Sequence, residues 1–130
     1  MMYILDMTLG DLEKKLMDYI WDTCPECNFT VRDIVDGINK HTKSNYAYNT
    51  ILTVVTHLFD KKLLQREKSG KTFFYKISLS KEAFVKKASR AVFEQMKKDY
   101  GSIAVAHFSN LLDEVDPSII AKAKKELSQK

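Results

Sequence analysis

Asn49, Thr50, Thr53, Thr56 and His57 recur at helical spacing in the run YAYNTILTVVTHLFDKKL, and all are short side chains that can hydrogen-bond at a surface. At about 3.6 residues per turn they share one side of a helix with Tyr46, while Ile51, Leu52, Val55, Leu58 and Phe59 take the other. Exposed helix faces are ordinarily filled with Glu, Lys, Gln or Arg, which favour the helix more than Asn and Thr do. The chemistry that suits such an outward face is the reading of base edges in a DNA major groove. Asn pairs with adenine, Thr reaches a phosphate or touches a thymine methyl, and the absence of bulk permits close approach. The competing reading is a face that docks on another protein through Tyr46, Asn49 and Thr53.

The following segment, LQREKSGKTFFYKI, supplies charge. From Lys61 to Lys76 the bases are Lys61, Lys62, Arg66, Lys68, Lys71 and Lys76, against the single acid Glu67. Residues 1–60 carry more acids than bases, so a net charge of +4 over 130 residues conceals a concentrated basic patch. Clustered Lys and Arg gain affinity for nucleic acid by releasing counterions from phosphates. Lys61, Lys62, Arg66, Lys68 and Lys71 are therefore the candidate phosphate contacts. Period-2 alternation predicts a hairpin, with Phe73, Tyr75 and Ile77 on one face and Thr72, Phe74 and Lys76 on the other. Gly70 supplies the positive φ of its turn.

Two shorter helices must position this unit. One is predicted from about Leu9 to Asp22, with Leu9, Leu12, Leu16 and Ile20 on a stripe and Thr8 and Asp11 as a capping box. The other starts at Thr30 and Asp33, reaches about Asn39, and buries Val31, Ile34, Val35 and Ile38. Phe29 and Thr30 are expected to add a short third strand to the hairpin. For the third helix, Ser44 or Asn45 is a better cap than Ala47. Helix, helix, helix, hairpin is the order of a winged helix-turn-helix domain, assigned to residues 1–79.

Residues 80–130 are lysine-dotted helices. One runs from Ser80 to about Tyr100, Gly101 and Ser102 break it, a second follows, and Asp116-Pro117 starts a third. The narrow apolar faces, Phe84, Ala88, Val92, Met96, Ile103, Phe108, Leu111, Leu112, Ile120 and Leu127, make a poor core alone. A dimerisation region is expected, the alternative being a helical cap on a monomer. The expected fold class is mainly α with a small β hairpin, a winged helix-turn-helix domain followed by a helical dimerisation region.

Other functions find little support. The chain opens without the basic segment and apolar run of a secretory signal, and no stretch approaches membrane-spanning length, so the expected location is the cytoplasm. Cys24-Pro25-Glu26-Cys27 has the spacing of a zinc half-site or a redox disulfide. A closed zinc site needs two more ligands, and His41, His57 and His107 are scattered. A turn containing two thiols is the favoured reading, a thiol- or metal-responsive regulator the alternative. No metal or cofactor is expected. No paired carboxylates or nucleophile with a base stand at catalytic spacing, so no enzyme is expected.

Leu9-Gly10-Asp11-Leu12-Glu13, Tyr19-Ile20-Trp21, Thr30-Val31-Arg32-Asp33-Ile34, Thr50-Ile51-Leu52-Thr53-Val54 and Leu58-Phe59-Asp60-Lys61 together resemble the penicillinase-repressor family, which includes methicillin-resistance and copper-responsive repressors. The resemblance implies a homodimeric bacterial repressor on a palindromic double-stranded DNA operator, controlling resistance or stress genes. It places Thr50 and Thr53 at the DNA surface and Lys68 and Lys71 on the wing. It further implies derepression through a sensor-triggered protease acting near Val105-Ala106-His107-Phe108. The chain departs from that pattern with His57 for a common Arg, Lys62 for a helix-ending Gly, His107 for Asn, and no C-terminal cysteine cluster of the copper-responsive kind. Neutral His offers one donor and one acceptor where Arg forks onto guanine, so a relative's operator does not transfer. Lys62 in a left-handed cap costs on the order of 1 kcal/mol relative to Gly.

Overall fold

Apolar periodicity accounts for the first three helices, and polar side-chain bonds set where each begins. The computed structural model describes residues 9–128. Helix α1 (Asp11–Thr23) buries Leu16, Met17 and Ile20. Its start lies two residues beyond the expected Leu9, because the Gly10 N–H donates to Glu13 Oε1 at 2.9 Å. The expected cap Thr8 lies outside the described residues. Helix α2 (Val31–Thr42) buries Val31, Ile34, Val35 and Ile38. The Asp33 N–H donates to Thr30 Oγ1 at 3.1 Å and the Thr30 N–H to Asp33 Oδ2 at 3.0 Å, the reciprocal box its sequence predicts. It continues past the expected Asn39 and closes on Lys43, at φ 53°. Gly37 sits where α1 crosses closely: a Cβ there would lie 2.8 Å from Cζ of Tyr19.

Helix α3 (Tyr48–Asp60) starts later than the sequence suggested, and neither Ser44 nor Asn45 caps it. The cap is Ala47, which makes no side-chain cap bond. The cause is Asn39, whose amide holds both backbone groups of Tyr46: the Tyr46 N–H donates to Oδ1 at 2.7 Å, and Nδ2 donates to the Tyr46 carbonyl at 3.0 Å. With Tyr46 fixed outside the helix, winding begins beyond it. The buried face is Ile51, Val54, Val55 and Leu58. Val54 thus joins the core, while Leu52 and Phe59, expected there, are half-buried.

Strands β1 (Leu64–Ser69) and β2 (Thr72–Ile77) pair antiparallel, with Leu64 opposite Ile77, Arg66 opposite Tyr75 and Lys68 opposite Phe73. Gly70 makes the turn at φ 63°, and Lys62 takes the left-handed conformation at φ 66° just before β1. The expected third strand shrinks to one residue. Phe29 exchanges two backbone bonds with Tyr75, at 2.9 and 2.7 Å, whereas the Thr30 backbone is committed to capping α2. The helices and hairpin enclose one core, in which Tyr75, Leu63 and Leu64 meet the apolar faces of α1, α2 and α3.

Helix α4 (Lys81–Tyr100) is capped by Ser80, whose Oγ accepts from the Ala83 N–H at 3.1 Å. The chain divides into two units inside this helix, between Ala91 and Val92. Phe84 belongs to the first unit, its ring 5.5 Å from that of Trp21, and the Trp21 indole N–H donates to the Leu79 carbonyl at 3.0 Å. The second unit holds the end of α4 with α5 (Ser102–Asp113) and α6 (Pro117–Ser128). Gly101, at φ 64°, separates the first two, and Asp116 opens α6 by accepting from the Ser118 N–H at 2.9 Å. Phe93 and Phe108 meet edge to face at 5.4 Å. Among the described residues no helix is long and apolar enough to cross a membrane.

Asn39→Ala leaves two part-buried backbone groups of Tyr46 without their partner, so a loss of about 1–3 kcal/mol in urea denaturation is expected. Asp36→Ala, an exposed change on the same helix, is expected to stay within about 0.5 kcal/mol.

Candidate nucleic-acid interface

With Ile51, Val54, Val55 and Leu58 buried, α3 turns Asn49, Thr50, Thr53 and His57 to solvent and leaves Thr56 half-buried. Thr53 and Thr56 are already engaged within the helix. Thr53 Oγ1 donates to the Asn49 carbonyl at 2.9 Å, and Thr56 Oγ1 to the Leu52 carbonyl at 2.8 Å. Such back-bonding spends the hydroxyl proton. What remains outward is a methyl and oxygen lone pairs, a surface suited to a thymine methyl or a base amino group. Tyr46, expected on this face, precedes the helix and packs against the core. The exposed aromatic at this end of α3 is Tyr48.

The hairpin sorts the basic residues by face. Arg66 lies between two rings, its guanidinium carbon 4.1 Å from the centroid of Phe59 and 4.6 Å from that of Phe73. Lys68 Nζ stands 5.8 Å from Phe73. Cation–π contacts of this kind contribute roughly 0.5–1 kcal/mol at exposed sites, and they fix the hairpin against the C-terminal end of α3. Lys62, Lys68 and Lys71 are exposed. Lys76 is exposed too, on the face with Gln65 and Phe74.

Lys61 is held differently. Its Nζ lies 2.9 Å from Glu13 of α1, with both side chains mostly buried. Burial pushes the Glu13 carboxyl up, but the Gly10 N–H, the Lys61 hydrogen bond and the charges of Lys61 and His57 outweigh it and hold the group below its ordinary 4.5. The structure thus leaves Lys62, Lys68 and Lys71 open to a polyanion and ties the charge of Lys61 into the joint between α1 and α3.

Sequence reasoning missed Arg32 and Tyr48. The Arg32 guanidinium carbon sits 4.8 Å from the centroid of the Tyr48 ring. The only signal available was an aromatic at an exposed wheel position in the first turn of α3. Cys24 and Cys27, expected as two thiols on a turn, are paired as a disulfide, with Cα atoms 5.3 Å apart. The turn at Pro25-Glu26 brings their backbones within the ordinary span of such a bond. No group of three or more His, Cys, Asp or Glu able to hold a metal occurs among the described residues. Of the apolar residues in 80–130, Val92, Ile103, Leu111, Leu112 and Leu127 are exposed, whereas Ala88, Met96, Phe108 and Ile120 are half-buried.

Three helices on one core, a two-stranded wing, and a third helix with a short polar outward face define a winged helix-turn-helix protein. A family model, described as penicillinase repressor, matches residues 9–129, and the chain belongs to that family. Among solved structures it is similar to the solution structure of the DNA-binding domain of the repressor BlaI. The two share 21% identity with a TM-score of 0.48, over 58% of this chain and 87% of that one. No curated protein matches the chain.

The depressed Glu13 carboxyl has a pH signature. Its stabilising contribution is complete above about 4.5 and is lost as pH falls through the lower folded value. Thermal melts from pH 7 to 3 are expected to show an acid decline in the parent protein that is shallower in Glu13→Gln, which starts less stable at pH 7.

Proposed function

We propose that the chain is a transcriptional repressor that binds a palindromic operator as a homodimer, with α3 in the major groove and the hairpin on the neighbouring backbone. The observation that carries this reading is the outward face of Asn49, Thr50 and Thr53, backed by the core and flanked by the exposed lysines of the wing. Asn49, Thr50, Thr53, Thr56 and His57 are the base or near-base contacts. Lys62, Arg66, Lys68 and Lys71 serve the phosphates. Membership of the repressor family supports occupation of a promoter as the mode of action, in the cytoplasm where bacterial DNA lies, and resistance or stress genes as the regulated class.

Dimerisation is supported by the apolar surface of the second unit. Ile103, Leu111, Leu112, Ile119 and Leu127 are each more than half exposed, while Gln95 and Ala104 are its only buried positions among the described residues. Covering each such side chain contributes on the order of 1 kcal/mol, and a second copy supplies the cover with the two-fold symmetry that a palindrome requires. Relief by proteolysis fits the same scheme. The His107–Phe108 bond lies inside α5, so a sensor-triggered protease must open that helix, and a cut would remove part of the dimer surface and its gain in effective concentration.

Fluorescence anisotropy on the DNA upstream of the chain's own gene, against a scrambled duplex over a salt series, tests the reading. Salt-steep, selective binding is expected. Binding to neither duplex at low salt would leave the polar face to a protein partner. Lys71→Ala is expected to weaken both duplexes alike and to lower the salt slope by about 0.9. Asn49→Ala should cost roughly 1–3 kcal/mol at one base pair of the operator, and equal losses on both duplexes would remove it from the base contacts. Leu111→Glu with Leu112→Glu is expected to give monomers in analytical ultracentrifugation while the winged domain still melts as in the parent.

A further inference from the structure

Arg32 stands in the first turn of α2 with Asp36 one turn further on. Helical spacing makes Arg32 and Asp36 the ordinary surface pair, yet no ion pair among the described residues includes Arg32. Its guanidinium lies over the Tyr48 ring instead, 4.8 Å from the centroid. Tyr48 opens α3 and is 39% exposed. Arg32 is itself exposed, so a guanidinium seated over a ring keeps N–H groups facing solvent. An arginine held by a ring with N–H groups toward solvent is preorganised to fork onto a phosphate, since less side-chain freedom is left to lose.

The wing end of α3 repeats the arrangement. On the helical wheel Tyr48 and Phe59 fall on the same flank, about three turns or ~16 Å apart. Phe59 is one of the two rings that hold Arg66, and Arg66 too lacks an ion pair among the described residues. One flank of the reading helix therefore carries a ring-held guanidinium at each end. With the polar face against base edges, guanidinia held at the two ends of one flank stand beside that face, where the bordering phosphates rather than the bases are in reach.

We propose that Arg32, seated on Tyr48, contacts a DNA phosphate at the N-terminal end of α3, and that with Arg66 at the other end it fixes the register of the helix in the groove. The proposal rests on the DNA-binding reading above. Tyr48 is the positioning residue: its ring, not its hydroxyl, does the work. Such a contact strengthens binding to any sequence and reads none.

The test uses the full chain on the operator duplex and on a scrambled duplex of equal length, over a salt series. Arg32→Ala is expected to weaken both by a similar factor, roughly fivefold to tenfold, and to lower the salt slope by about 0.9. Tyr48→Phe should bind as the parent does. Tyr48→Ala should lose most of what Arg32→Ala loses, and the double variant should lose little more than Arg32→Ala alone. Arg32→Gln, which keeps a polar side chain of similar reach, repeats the slope measurement if Arg32→Ala melts early. An unchanged slope in both arginine variants overturns the proposal, as does a loss confined to the operator. A Tyr48→Phe defect equal to that of Tyr48→Ala overturns the seat. If the parent binds neither duplex, the DNA-binding reading fails first; if the parent binds and the Arg32 variants match it, only the clamp fails.

Discussion

Everything at the interface depends on α3 being held as a helix by its buried side. Its outward residues are weak helix formers, and its Ala47 cap contributes no side-chain bond. A free peptide of this sequence would gain little from local preferences. Burial of Ile51, Val54, Val55 and Leu58 against α1, α2 and the hairpin supplies what the exposed face does not. That division allows the outer surface to be selected for hydrogen bonding to a ligand.

Three side-chain contacts then fix where the helix sits. Asn39 sets its beginning by holding Tyr46, Glu13 anchors its end through Lys61, and Arg66 locks the wing against Phe59. Each comes from a different element, so the position of α3 is determined by α1, α2 and the hairpin together. Charge follows the same logic. The acid Glu13 neutralises Lys61 in the interior joint, while Lys68 and Lys71 remain exposed on the wing. The second unit has the opposite character, with Ile103, Leu111, Leu112, Ile119 and Leu127 facing outward.

Much of the winged domain was legible because its signals are local. The Thr30–Asp33 box, the period of Val31, Ile34, Val35 and Ile38, the alternation of β2 and the turn at Gly70 each depend on a few neighbouring residues. The errors fell where a distant residue intervened. Tyr46 reads as helix until Asn39 binds its backbone, Phe29 pairs for a single residue because Thr30 is needed as a cap, and Lys61 reads as a surface cation until Glu13 is brought beside it.

The sequence by itself determined the element order, the basic wing and the short polar face, since periodicity, turn chemistry and composition are properties of adjacent residues. Tertiary structure decided which charges stay available and how they are aimed. It paired Lys61 with Glu13, set Arg66 between Phe59 and Phe73, and laid Arg32 on Tyr48. Those outcomes depend on distances between residues far apart in the chain, which only the packing of α1, α2 and the hairpin around α3 establishes.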